Sequence, residues 1–132
     1  INELKEKFGT AVIFITHDLG VIRQMADKVL VMYTGQAVER VDAARLFQNP
    51  LHPYTQGLMK CIPGMDGDDG DLHVIDGSVP MLYDLPKGCL FAPRCPYADD
   101  RCRSQRPPLY GKEGGHQVRC FRCEAMGEEG AL

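Results

Sequence analysis

The sequence has no long apolar run: no stretch approaches the about 18 residues that cross a bilayer, so a membrane-spanning helix is excluded. It also has little net charge. A formal charge of -3 and a pI near 5.8 supply no whole-chain field to attract nucleic acid or anionic lipid, and no nucleic-acid partner is expected. No secretory leader is visible, because Ile1 runs directly into the charged stretch "NELKEK", and a start at Ile suggests a piece cut from a longer chain. A phosphate-binding loop, G-x4-G-K-[ST], is missing as well: the nearest approach, Gly111-Lys112, has Arg106 where the first glycine belongs and Glu113 after the lysine. What is present is ordinary for a soluble globular protein, with 44% apolar and 25% charged residues. A chain of 132 residues has room for one modest core, burying roughly two-thirds of its unfolded surface.

The first half reads as α/β. "INELKEKF" spaces Ile1, Leu4 and Phe8 as one helical face, with Gly9 where a left-handed cap belongs. "TAVIFIT" is a continuous β-branched and aromatic run, which predicts a central, parallel-type strand covered on both faces. Asp18 is placed to cap a helix reaching about Ala26, with Leu19, Ile22 and Met25 or Ala26 on one face. "KVLVMYTGQAVER" predicts strand, Thr-Gly turn, strand; Asp42 opens a short helix ended by Asn49-Pro50, and a second helix follows Pro53 and stops at Pro63. From Gly64 the composition changes to a Gly/Asp linker and then to recurring prolines at 80, 86, 93, 96, 107 and 108, a segment expected to be irregular and to need an added constraint.

The cysteines sit in that segment. Six in the chain is enrichment; in a secreted protein an even number suggests disulfides, whereas among cytosolic α/β elements clustered thiols more often hold metal. Cys89, Cys95, Cys102 and Cys120 follow C-x5-C-x6-C-x17-C, and four such thiolates suit a 4Fe-4S cluster or a tetrahedral zinc ion. Zinc usually brings paired C-x(2-4)-C knuckles, so the wider spacings favour iron-sulfur. Between Lys87 and Arg122 eight Lys and Arg residues face Asp99, Asp100 and Glu113, a surplus that would offset an anionic cluster, although a basic stretch is also an ordinary solvated face. Cys123 forms C-x2-C with Cys120, which reads as a redox pair, a zinc knuckle or an alternative fourth ligand, Cys120 being preferred, while Cys61, on a helix among apolar neighbours, reads as a small buried hydrophobe. Asp66, Asp68, Asp69 and Asp71 do not make a calcium loop, since the turn glycine and the twelfth-position glutamate are wrong. His17 stands where a buried strand ends, the place where open α/β sheets bind ligands, but a strand-end histidine also serves as a core hydrogen-bonding group.

Three segments in series carry a family resemblance. "VIFITHDLGVIRQMADKVLVMYTGQAVE" resembles the switch-histidine end of ABC transporter ATPase subunits, "NPLHPYTQGLMKCIP" resembles the His-Pro-Tyr-Thr extension of the oligopeptide and dipeptide importers, and "GSVPMLYDLPKGCLFAPRCPYADDRC" with "HQVRC" resembles their cysteine-rich tail. The resemblance implies the C-terminal part of a P-loop NTPase domain at 1–48, the extension at 49–64, a linker at 65–87 and an iron-sulfur tail at 88–132. It implies that His17 is the switch histidine that contacts the ATP γ-phosphate, that Cys89, Cys95, Cys102 and Cys120 ligate a 4Fe-4S cluster, and that His52 packs and caps the extension without a catalytic part. The partners implied are membrane permease subunits and a second ATPase subunit, at the cytoplasmic face of the inner membrane. With the phosphate loop, the signature sequence and a strand ending in Asp-Glu all missing, ATP and Mg²⁺ are expected only in a longer subunit, and this chain alone is expected to be inactive. A stand-alone zinc-binding module and a thiol redox protein are the competing classes.

Overall fold

The computed structural model describes residues 2–62, 74–111 and 115–126. Helix α1, Asn2–Phe8, forms at the expected place and is followed by Gly9 at φ 58°, the left-handed conformation that releases the chain from a helix. Asp18 caps α2, Leu19–Met25, accepting from the amides of Gly20 at 2.8 Å and Val21 at 3.1 Å, and Leu19, Ile22 and Ala26 pack against the core.

Between these helices the structure departs from expectation. "TAVIFIT" forms no strand, and Ile13 and Ile15 are 93% and 94% exposed. The physical reason is that a strand of this composition is stable only between neighbours that cover both faces, and every strand pairing in the described residues is antiparallel and made further along the chain.

Strands β1, Lys28–Tyr33, and β2, Gln36–Asp42, pair as the expected hairpin, and Thr34 and Gly35 both take positive φ, the primed turn whose twist matches that of the strands. Val29, Val31 and Tyr33 alternate inward from β1. Helix α3, Ala43–Gln48, buries Leu46 completely, and α4, Pro53–Lys60, begins at Pro53, where the missing N–H costs nothing.

The tail is less irregular than its prolines suggest. Cys102 lies on α5, Asp100–Ser104, and two short strands, β3, Tyr110–Gly111, and β4, Gln117–Val118, extend the sheet to the order β1-β2-β4-β3. β4 pairs with β2 through Glu39 opposite Val118 and Arg40 opposite Gln117. Phe91 packs its ring 5.3 Å from that of Tyr33 and 5.4 Å from that of Tyr54, so tail, hairpin and α4 share one core. The acidic residues Asp66, Asp68, Asp69 and Asp71 lie outside the described residues. No helix among the described residues is long and apolar enough to cross a membrane.

A cysteine-lined cavity as the candidate functional site

Three turns of backbone bring the tail cysteines together. Cys89 accepts from the amide of Ala92 at 3.1 Å, which starts the 3₁₀ turn Ala92–Arg94, and Cys95 closes that turn by donating to the Ala92 carbonyl at 3.3 Å. Asp99 caps α5 by accepting from the amide of Cys102 at 2.7 Å, and the amide of Cys89 donates to the Cys102 carbonyl at 2.8 Å. Cys120 follows β4 and precedes the 3₁₀ segment Phe121–Met126.

Cys89, Cys95, Cys102 and Cys120 all line one cavity of about 20 Å³, whose other walls include His52, Phe91 and Ala92. Cys61 and Cys123 do not line it. Burial pushes all four thiols up, that of Cys120 to about 12, with the charges of Arg106 and Arg122 acting in the opposite direction on Cys89 and Cys95. The thiols are therefore neutral at neutral pH, and a metal centre must displace their protons on binding. Four thiols lining one cavity match the donor set of a 4Fe-4S cluster in type and number. Among the described residues, no three His, Cys, Asp or Glu side chains are grouped as a single metal ion requires.

His52 forms part of the wall without serving as a ligand. Its ring is 2% exposed, Nδ1 accepts from the amide of Tyr54 at 3.1 Å and so caps α4, and a backbone hydrogen bond engages Arg119. Burial drives its pKa down to about 4 despite the nearby Glu39 carboxylate, so the ring is neutral.

Glu39 was not singled out by the sequence. It is fully buried, accepts from the amides of Leu51 at 2.7 Å and His52 at 3.0 Å, and bonds the ring of His116. Burial pushes its carboxyl up, but the bonds from His116 and the two amides together outweigh this and hold it below the ordinary glutamate value. One signal was available: Glu39 shares a strand face with Val41, an inward apolar position where a charged residue requires partners.

His17 lies elsewhere, exposed in the turn that enters α2, and does not line the cavity. Cys61 corrects the expectation of a buried side chain. The helix stops at Lys60, so Cys61 sits exposed at its C-terminal cap with Sγ 3.2 Å from the Gly57 carbonyl.

Residues 38–102 match the family model described as the oligopeptide/dipeptide transporter, C-terminal region. Residues 38–102 belong to this family. It is 50% identical over 129 residues to the oligopeptide transport ATP-binding protein AppD of Bacillus subtilis, covering 98% of this chain and 39% of that protein. It is 46% identical to the oligopeptide transport ATP-binding protein OppD of Salmonella typhimurium, over 92% of this chain and 36% of that protein. Against the dipeptide transport ATP-binding protein DppD of Escherichia coli it is 47% identical, over 89% of this chain and 36% of that protein. The chain thus spans less than two-fifths of the length of these relatives. The match to the oligopeptide/dipeptide transporter region takes in most of β2, all of α3 and α4, and three of the four cavity cysteines, and Cys120 lies beyond it.

Proposed function

We propose that this chain is the C-terminal part of the ATP-binding subunit of a peptide importer, and that its cysteine cavity holds a 4Fe-4S cluster. The observation that carries the first statement is 50% identity across 98% of the chain to a protein named for oligopeptide transport and ATP binding. The cluster reading rests on the four thiols of Cys89, Cys95, Cys102 and Cys120 lining one cavity among short elements of two to six residues. In this reading the cluster cross-links the tail and supplies folding free energy. Its partners are permease subunits at the cytoplasmic face of the inner membrane and a second ATPase subunit. His17 is the residue that reaches the γ-phosphate in the whole subunit, where phosphoryl transfer depends on placed polar groups and Mg²⁺ more than on covalent chemistry. Without a phosphate loop the chain by itself is expected to show no ATP turnover above a blank.

Metal analysis of anaerobically purified protein tests the cavity. About four irons and four sulfides per chain, with a brown colour, are expected, together with loss of both in Cys95→Ser. One zinc per chain would replace this reading with the zinc-module reading, and a metal-free chain with a reversible disulfide would favour a thiol redox protein. The zinc alternative is disfavoured by the wide C-x5-C-x6-C spacings, because zinc sites usually bring paired C-x(2-4)-C knuckles.

A further inference from the structure

A cavity of about 20 Å³ has room for about one water molecule, so any larger occupant requires part of the wall to move. The floor cannot yield cheaply: Phe91, Ala92 and His52 are 2%, 7% and 2% exposed and belong to the core or pack against it. The mouth is different. Tyr97 is 52% exposed, Arg122 is exposed, both line the cavity, and the Arg122 guanidinium carbon lies 4.0 Å from the centre of the Tyr97 ring. Arg122 sits on the 3₁₀ segment Phe121–Met126, which is kinked at Cys123 and therefore weakly held by its own backbone bonds.

The other arginines of the tail are committed. Arg94 donates to the carbonyls of Ile75 and Asp76, Arg101 pairs with both carboxylate oxygens of Glu124, and Arg103 meets Asp100. Arg106 donates to the Pro86 carbonyl, and Arg119 to those of Ala37 and Pro107. Arg122 is the arginine that lines the cavity, and it has no salt bridge among the described residues.

We infer that the Tyr97–Arg122 stack is a lid over the cysteine cavity, and that Arg122 is the cation that compensates a negatively charged, sulfur-bound occupant. An anion held by the four sulfurs gains a counter-charge at the mouth that opposes the Asp99 carboxylate beside Cys95 and Cys102 and adds to that of Arg106 at Cys89, and the aromatic face holds that charge over the opening. This deepens the cluster reading but is tested without metal.

The test is alkylation of the reduced, metal-free chain with iodoacetamide, which is neutral, and iodoacetate, which is anionic, each cysteine being followed by peptide mass mapping. Exposed Cys61 is the internal reference. At Cys95 and Cys120 the iodoacetate-to-iodoacetamide rate ratio is expected to exceed that at Cys61 by about threefold, the scale of one partly solvated charge. Arg122→Gln is expected to bring the ratio down to that of Cys61, and Arg122→Lys to retain it. Tyr97→Ala is expected to raise both rates at the cavity cysteines several-fold, with Tyr97→Phe behaving as the parent. If Tyr97→Ala unfolds, as circular dichroism would reveal, Tyr97→Leu carries the same comparison. A ratio indifferent to Arg122→Gln, or cavity rates indifferent to loss of the ring, overturns the inference. A chain that binds no iron yet shows these ratios would sink the cluster reading alone.

Discussion

Replacing Glu39 with alanine is expected to destabilise the fold by about 3–5 kcal/mol, because it removes a buried carboxylate from the groups that hydrogen-bond to it. Two amides, those of Leu51 and His52, and the ring of His116 would be left facing a cavity that is closed to water. Against a typical total of about 5–15 kcal/mol, a loss of this size is a large share of the stability. Denaturant midpoints of the parent and the variant measure it; a shift within experimental scatter would reject the network as a source of stability. The same residue sets an acid limb. Glu39 has its folded pKa below the ordinary 4.5, so in that window the unfolded chain binds the extra proton. Its contribution is fully present above the ordinary glutamate range and is lost as the pH falls through the folded value. Glu39→Gln is expected to be less stable near neutrality and to lose this part of the acid slope, read from midpoints between about pH 7 and about pH 3.

Gly88→Ala is expected to cost about 2–4 kcal/mol and to open the cysteine cavity. A Cβ at this position would stand 2.6 Å from the carbonyl carbon and oxygen of Arg103 and closer still to the carbonyl oxygen of Cys102. These are backbone atoms, so no side chain can swing away. Relief requires α5 to shift, and α5 carries Cys102, whose carbonyl holds the amide of Cys89 at 2.8 Å. Thermal melting is expected to drop, and alkylation at Cys89 and Cys102 to accelerate together while Cys61 is unaffected. Unchanged melting with unchanged thiol rates would mean that the two segments are not held by this contact.

Elements whose causes are local were legible in the sequence. The Asp18 cap, the Thr34–Gly35 turn and the Pro53 start of α4 each depend on two or three adjacent residues, and each forms where the pattern places it. Features that depend on distant partners were not. "TAVIFIT" has the composition of a core strand, but composition does not supply the neighbouring strands. β3 and β4 have two residues each, too short for any alternation to register, and they exist because β2 offers an edge to pair with. Cys61 is exposed because the helix ends two residues before Ile62, the last apolar residue of the pattern. The four cysteines were identified from spacing, yet Glu39, which joins the α4 entry to the strand before Cys120, is 77 positions away from its His116 partner.

The run from Ala11 to Thr16, exposed through Ile15, has a practical consequence for handling the chain. Six residues rich in β-branched and aromatic side chains, with no charge and no proline, match the composition that stacks into cross-β ribbons. Their main-chain donors and acceptors form no ladder in the described structure, so in concentrated solution each copy presents a template to the next. Self-association of the purified chain should therefore begin at this segment, and a lysine at Ile13 or Ile15, both pointing into solvent, should suppress it without disturbing the cysteine cavity at the other end of the sequence.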